Sequence, residues 1–552
     1  MSAPLDPGPL AAPGPPPESP PPVSTPPVSP PAPSDDDGHA PRTRHRSATL
    51  LLWWALGGVL LLAGQHGNPS VAVAAWLFPV FLLRFTRRAR IGWALLGLTL
   101  AHAVAGAVWI LGIQLPVDGP PVDAMVGCAL LNLLLIVPFL VDRALAVPLR
   151  ARHPVLATLV FPSARVAVEL VVVLISPFGI VFGMLASSQH EVLPLLQIMS
   201  VTGLYGVSFL VAWLAPVADE AWRRPRRRLA PAIAFGAVLV TVLAYGGVVL
   251  STAPVDAPTV RVAGVTPSKS LADAADALPD AESAARGNPA VVRRAMDPVL
   301  DDLTSSTGRE AAAGAKFVLW SEAAAWVVEE DLPSLYKRVG KIAERQRVHV
   351  LVAVAVLTDA APHGRNIISM IGPEGNLLWE YDKSRPVPGM EQIDPGTDDV
   401  PSISTQYGTI AGLICFDLDF PEAAVNADTV LVPASDWRGF DRLHTEKARL
   451  RAIEYGYSVV RQDAHGLAAT FDPQGRQLAS SNWFSTGQQT MVAEVPTEGR
   501  RSVYARVGDA FGWACVGLLC VLTLLGTSRR LTRRREDGAR RPATANSPRL
   551  RL

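Results

Sequence analysis

Thr409-Ile-Ala-Gly-Leu-Ile-Cys415-Phe-Asp-Leu-Asp-Phe-Pro421 is an apolar run that stops in a cysteine, two aspartates and a proline. Such a run reads as a buried strand, and the polar residues and proline read as the turn that ends it. A thiol at the tip of a core strand is held rigidly and stays open on one side, as a nucleophile requires. Taken alone, a small buried hydrophobe is the commoner meaning of a free cysteine. Its partners elsewhere in the chain change that reading.

The chain has 552 residues, enough for several domains, and a net charge of +1, which gives no global case for nucleic acid. Its 49% hydrophobic content hides a division between a lipid-like part and an ordinary globular one. Three of the four cysteines, Cys128, Cys515 and Cys520, lie in long apolar runs. Cys415 therefore has no thiol partner in the soluble part, and a disulfide within that part is excluded.

Residues 1–47 are dominated by proline, serine, alanine and aspartate, a composition that cannot bury enough apolar area to order itself, so they read as a disordered tail. Apolar segments follow at 48–64, 71–85, 91–114, 122–148, 154–185, 193–215 and 231–251, with one more at 508–527. Most approach the ~20 residues a helix needs to cross a bilayer. The expectation is eight transmembrane helices, seven in a membrane domain over 48–251 and one over 508–527. The 71–85 segment is short, and 154–185, which carries Pro162 and Pro177, reads as kinked or re-entrant. Within it, Arg165 and Glu169 lie on one helix face four residues apart, either as a functional intramembrane pair or as a neutralised structural one.

Loop charges set the orientation. Arginines cluster before the first span, at Arg84 to Arg90, at Arg143 to Arg152, at Arg223 to Arg228, and after the last span from Arg529. Eight alternating spans put all of these on one side. The opposite connections, 65–70, 115–121 and 186–192, hold no lysine or arginine. Both termini, including the basic tail 528–552, are therefore expected in the cytoplasm, and 252–507 is expected outside a cell membrane.

That insert alternates β-rich runs (Val260–Val265, Phe317–Trp320, Val348–Val356, Ile367–Ile371, Ile410–Cys415, Thr429–Val432, Ser458–Arg461, Thr490–Val495) with helical stretches, clearest over Leu335–Gln346 and Leu443–Tyr457. Gly372-Pro-Glu-Gly375 and Asp472-Pro-Gln-Gly475 mark hairpins. The result is a layered α/β domain. Glu322 ends one strand, Lys383 follows another and Cys415 ends a third. Brought to one edge, a carboxylate can take the thiol proton and an ammonium can favour thiolate and a developing oxyanion. Trp326, Trp437, Phe440, Trp483 and Phe484 read either as core packing or as exposed loop residues that dip into the membrane interface.

Trp320-Ser-Glu322, Tyr381-Asp-Lys383 through Gly389-Met-Glu391, and Leu413-Ile-Cys415-Phe-Asp417 resemble the Glu–Lys–Cys motifs of the nitrilase superfamily. With the eight-span frame and His444-Thr-Glu-Lys-Ala-Arg449-Leu-Arg451-Ala-Ile-Glu454, the chain resembles the apolipoprotein N-acyltransferases, from about residue 48 to 527. The resemblance implies a nitrilase-like αββα sandwich with Cys415 as nucleophile, Glu322 as general base, Lys383 as oxyanion-stabilising cation and Glu391 as a supporting acid. It departs at Ser321, where the family has proline, at Gly389-Met-Glu391, where an aromatic-Gly-Glu is usual, and at Phe416-Asp417 in place of Tyr-Glu. The implied reaction moves a fatty acyl group from a glycerophospholipid, through a Cys415 thioester, to the N-terminal amine of a diacylglyceryl-cysteine lipoprotein. The rival readings are a membrane-anchored nitrilase-type amidase and a non-catalytic scaffold for a membrane partner such as a glycosyltransferase. No metal-ligand cluster or phosphate loop is visible, so neither metal nor cofactor is expected.

Overall fold

The computed structural model describes residues 40–65, 70–116, 122–181, 183–223, 229–252, 257–276, 288–358, 364–397, 399–485 and 490–539. The proline-rich run up to residue 39, the arginines at 224–228 and the tail beyond 539 lie outside these. The membrane part consists of α1 (Ala40–Gln65), α2 (Ala72–Arg88), α3 (Ile91–Gly112), α4 (Val122–Leu134), α5 (Val137–Arg150), α6 (Pro154–Thr158), α7 (Val160–Ile175), α8 (Leu193–Leu196), α9 (Met199–Thr202), α10 (Leu204–Arg223) and α11 (Ala230–Ser251). Among the described residues, seven helices are long and apolar enough to cross a membrane, counting α4–α5 and α6–α7 as one each and including Ala510–Thr527. The eighth expected segment forms α2, whose 17 residues carry Pro79.

Two expected segments are broken up. The 154–185 run stops at Ile175, before Pro177, and continues as short 3-10 turns at Gly179–Val181 and Ala186–Gln189. The 193–215 run is interrupted at Gly203 (φ +61°), where a Cβ would lie 2.4 Å from the Tyr504 ring. Arg165 and Glu169 do pair, Nε to Oε1 at 2.8 Å, both buried. Glu169 also accepts from Leu185 N at 3.0 Å, and Arg165 donates to Gly183 O at 2.7 Å. The pair therefore pins the irregular stretch after α7.

Of the arginines that read as loop charges, Arg84 and the side chain of Arg87 are buried. Arg84 and Arg87 meet Asp219 at 2.9 and 2.6 Å, Arg87 forks onto Asp142 at 2.7 and 2.8 Å, and Arg223 reaches Asp219 at 2.9 Å. Both carboxylates are saturated, which is what permits charges inside a helical bundle.

The second part is a four-layer sandwich. Its first sheet runs β13 (Thr490–Pro496), β1 (Thr259–Val265), β2 (Phe317–Trp320), β4 (His349–Leu357), β5 (Arg365–Ile371), β6 (Leu377–Asp382), with β3 (Trp326–Val328) also on β4. Its second runs β12 (Gln477–Asn482), β11 (Leu467–Phe471), β10 (Ser458–Ala464), β9 (Thr429–Ser435), β8 (Gly408–Gly412), β7 (Ser402–Thr405). The central strands are parallel, β1–β2–β4 in one sheet and β8–β9–β10 in the other, and β2, β4 and β9 read as nearly continuous apolar runs because both their faces are covered. One core cluster joins the sheets through Val262, Leu319, Val352, Ile414, Leu431 and Val460. Outside the first sheet lie α12 (Lys269–Asp276), α13 (Pro289–Ala312) and α14 (Leu332–Gln346). The apolar residues of α14, Leu335, Val339 and Ala343, recur at helical spacing and are buried in that core.

Outside the second sheet lies α15 (Asp441–Tyr455), which turns Ala448 and Ala452 to the sheet and Leu450 and Ile453 to the membrane helices. Covered on both sides, it buries its charged residues as well. It ends at Gly456 (φ +78°), where a Cβ would lie 1.6 Å from Arg500 O. After α16 (Tyr504–Val507) the chain returns through α17 (Ala510–Ala539). Every strand and both helices expected in this part are present, with ends shifted by a few residues. The exception is 410–415, where the strand ends at Gly412 and Cys415 opens a 3-10 turn.

Candidate active site

Three strand ends converge. Glu322 follows β2, Lys383 follows β6, and Cys415 lies just past β8; all three are buried. Lys383 Nζ donates to Glu322 Oε1 at 2.7 Å and to Glu391 Oε1 at 2.6 Å. Glu391 also accepts from Val387 N at 2.7 Å. Asn366, at the head of β5, donates its amide to Glu322 Oε1 at 2.8 Å, while its carbonyl accepts from Lys383 N at 2.9 Å. One asparagine thus fixes both ends of the ion pair, and nothing in its surroundings in the sequence singles it out.

Cys415 has φ +45°, as does Ala323 next to Glu322. Non-glycine residues in this region carry local strain of about 1–3 kcal/mol and cluster at functional sites. Asp417 holds the strained turn: it accepts from Ile414 N (3.2 Å), Arg385 N (2.7 Å), Ser384 Oγ (3.1 Å) and Tyr381 OH (3.1 Å). The cysteine turn and the lysine loop are thereby locked together. Phe416 packs edge-on against Phe420, ring centroids 5.0 Å apart, so the aromatic ring here serves packing.

Burial pushes the Cys415 thiol well above its ordinary pKa, reinforced by the Glu322 and Asp436 charges and opposed by Lys383 and Arg461. The resting group is therefore a thiol. Burial alone would lower Lys383, but Glu322, Cys415 and Glu391 together raise it, so it is an ammonium throughout. Glu391 is pushed up, burial outweighing Lys383, and Asp417 is pushed up to about 6 by burial, against the pull of Lys383.

A second buried group lies behind the sulfur. His444 stands between Asp419 (Nε2 to Oδ2, 2.7 Å) and Asp436 (Nδ1 to Oδ1, 2.7 Å). Burial disfavours its charge, but Asp436 and Asp419 raise its pKa. Donor atoms of Cys415, Asp436 and His444 come within 4.8 Å of one another, a set that suits a cation. The Arg461 guanidinium already lies among them, with Nη2 2.9 Å from Asp436 Oδ2, 3.0 Å from His444 Nδ1 and 4.0 Å from Cys415 Sγ.

Of the aromatic residues singled out in the sequence, Trp326 is on a strand, Trp483 and Phe440 are buried, and Trp437 and Phe484 are half-buried. Trp437 stacks on Phe440 at 4.5 Å and donates Nε1–H to Ile113 O, just past α3, at 2.7 Å. Phe416, Phe420 and Phe440 form one apolar cluster with Ile110, Cys128 and Val172 of the membrane helices. Other contacts join the two parts: Lys447 Nζ to Ile180 O (2.9 Å) and Ser187 Oγ (2.7 Å), Gln197 Nε2 to Gln474 O (3.0 Å), and Leu204 N to Glu454 Oε1 (2.7 Å).

The sequence profile of the Carbon-nitrogen hydrolase family matches residues 261–505, and that of the Apolipoprotein N-acyltransferase N-terminal domain matches residues 49–217. The first match covers the sandwich and the second the helices up to the middle of α10, which defines a carbon–nitrogen hydrolase domain seated on a membrane frame. The chain is 29% identical over 391 residues to an apolipoprotein N-acyltransferase of Bradyrhizobium diazoefficiens, covering 62% of this chain and 68% of that one. It is 26% identical over 394 residues to one of Geobacter metallireducens, covering 64% and 71%. With both profiles in order along the chain, it belongs to the apolipoprotein N-acyltransferase family of the nitrilase superfamily. Among solved structures it is similar to an amidase from Nesterenkonia sp., at 18% identity and a TM-score of 0.36, over 47% of this chain and 97% of that one.

Proposed function

We propose that this chain transfers a fatty acyl group from a glycerophospholipid to the N-terminal amine of diacylglyceryl-cysteine lipoproteins. Glu322 takes the Cys415 proton; the thiolate attacks the ester carbonyl, and Lys383 stabilises the oxyanion as it forms. The glycerol oxygen leaves with the proton from Glu322, as lysophospholipid. The lipoprotein amine then attacks the thioester, with Glu322 as base. Glu391 and Asn366 hold Lys383 and Glu322 in register.

The observation that carries this reading is the apolar cluster shared by Phe416 and Phe420, either side of the nucleophile turn, and Ile110 and Val172 of the membrane helices. An amidase acting on small soluble amides has no use for membrane helices packed against the turn that carries Cys415; an enzyme whose donor is a membrane lipid does. The helix ends that meet the sandwich belong to the arginine-free connections, and the buried arginines lie at the other ends. This supports termini in the cytoplasm and a sandwich on the outer face, multi-pass in the inner membrane.

The test is a vesicle assay with phosphatidylethanolamine and a synthetic diacylglyceryl lipopeptide. N-acyl lipopeptide and lysophospholipid are expected to form in equal amounts, and the E322Q variant to form neither. Free fatty acid released at the same rate with and without the lipopeptide would mark a hydrolase instead.

A further inference from the structure

We propose that Arg461 is a second catalytic cation, its guanidinium edge facing the Cys415 sulfur and sharing with Lys383 the stabilisation of the thiolate. This deepens the acyl-transfer reading and rests on Cys415 as its nucleophile.

Lys383 is bonded to two carboxylates, Glu322 and Glu391, so one ammonium already answers two potential anions. A thiolate beside that group needs positive charge from elsewhere. Arg461 lies in the interior of β10, fully buried, on the side of Cys415 where Asp436 and His444 converge. Its Nη2 is 4.0 Å from Sγ. At that distance, in a site closed to water, a fixed guanidinium acts far more strongly than it would in solvent.

The guanidinium is also held in place. Nη2 donates to Asp436 Oδ2 at 2.9 Å, and Nη1 donates to Thr445 Oγ1 at 2.7 Å and to Asp463. Asp436 is in turn fixed by His444 and by its own N–H, which donates to Asp463 Oδ1 at 3.0 Å. Asp436 is shared between Arg461 and His444, and His444 also bonds Asp419. Burial pushes Asp463 well above the ordinary carboxylate range, against the pull of Arg461. An arginine needed only to neutralise aspartates would have no reason to turn its edge to the sulfur.

Proton and charge balance through the step. The Sγ proton passes to Glu322, the sulfur lone pair forms the C–S bond, the ester C–O bond breaks, and the leaving oxygen recovers the proton. Arg461 donates no proton; it lowers the energy of the negative sulfur before attack and again when the thioester is broken.

The test is the pH dependence of Cys415 alkylation by iodoacetamide in the full-length, detergent-solubilised protein, read on the Cys415 peptide by mass spectrometry. The R461Q/D436N variant removes one cation and one anion, so it avoids leaving an unpaired buried charge. Asp436 opposes the thiolate, so the comparison is with D436N alone; against it, the R461Q/D436N alkylation midpoint is expected to rise by about one pH unit or more, roughly tenfold slower alkylation at a fixed pH below it. R461K keeps the charge and is expected to hold the midpoint near that of the unaltered protein. A folded R461Q/D436N variant with the midpoint of D436N overturns the proposal, as does an R461K midpoint displaced equally far from that of the unaltered protein. Because the readout is thiol chemistry, absence of any phospholipid-derived thioester would sink the acyl-transfer reading and leave this result standing.

Discussion

Both halves of the molecule bury clusters of opposite charges, and the clusters end differently. In the helical half, every carboxylate oxygen of Asp142 and Asp219 accepts from a guanidinium of Arg84, Arg87 or Arg223. In the sandwich, Lys383, Glu322, Glu391 and Asn366 are bonded to one another, but beside them sits a thiol with a guanidinium 4.0 Å away. Saturated charge fixes a fold. Charge arranged around an incompletely matched, strained nucleophile performs chemistry.

The sharpest way to break this contrast is Cys415→Ala. Transfer is expected to fall by about 10⁴-fold or more while the protein stays folded, since a small buried side chain loses only one atom. Product formed at more than a trace level would remove the distinction. Next comes the paired comparison Lys383→Met against Arg87→Met. Each leaves buried carboxylates unpaired, at about 3–5 kcal/mol of stability. Only the lysine variant is expected to lose a further 10²–10³-fold, roughly, in kcat of the folded fraction. Thermal unfolding in detergent, paired with kcat per folded molecule, checks both.

A third prediction uses pH. Asp417 is raised in the fold to about 6, above its ordinary value of 3.8. Between those limits the folded carboxyl holds a proton that the unfolded one has lost. Stability contributed at the acid end therefore falls as pH rises through this window, by up to about 3 kcal/mol. Tm measured against pH is expected to show this slope in the unaltered protein and lose it in Asp417→Asn. The smallest effect is Trp437→Phe. It removes the bond to Ile113 O and about 1 kcal/mol of docking, read as a modest rise in KM for phospholipid with kcat nearly unchanged.

The nucleophile, base and lysine were legible because each is a polar residue at the end of an apolar run, where periodicity fails abruptly. Arg461 was not: it lies inside a strand, and the run 458–461 read as apolar with a charged end. The signal was present in Arg461-Gln-Asp463, two charges within one strand face, which a surface-exposed strand would also show. Asn366 was hidden for a similar reason, at the head of a strand where asparagine is ordinary. In the membrane half, hydropathy located the helices, but composition carries no information on which arginines turn inward. Asp142 and Asp219 decide that, by sitting one on α5 and one on α10 opposite the end of α2. The breaks at Ile175 and Gly203 follow from Pro177 and from a positive φ; only the proline announces itself.

Incubation of the purified, full-length protein with phospholipid alone, followed by peptide mass spectrometry, tests the central claim most directly. One acyl group is expected on the Cys415 peptide, removable by hydroxylamine and transferred to the amine when a diacylglyceryl lipopeptide is added. An acyl group that persists when Cys415 is replaced, or a Cys415 that stays unmodified while acylated lipopeptide accumulates, would contradict it.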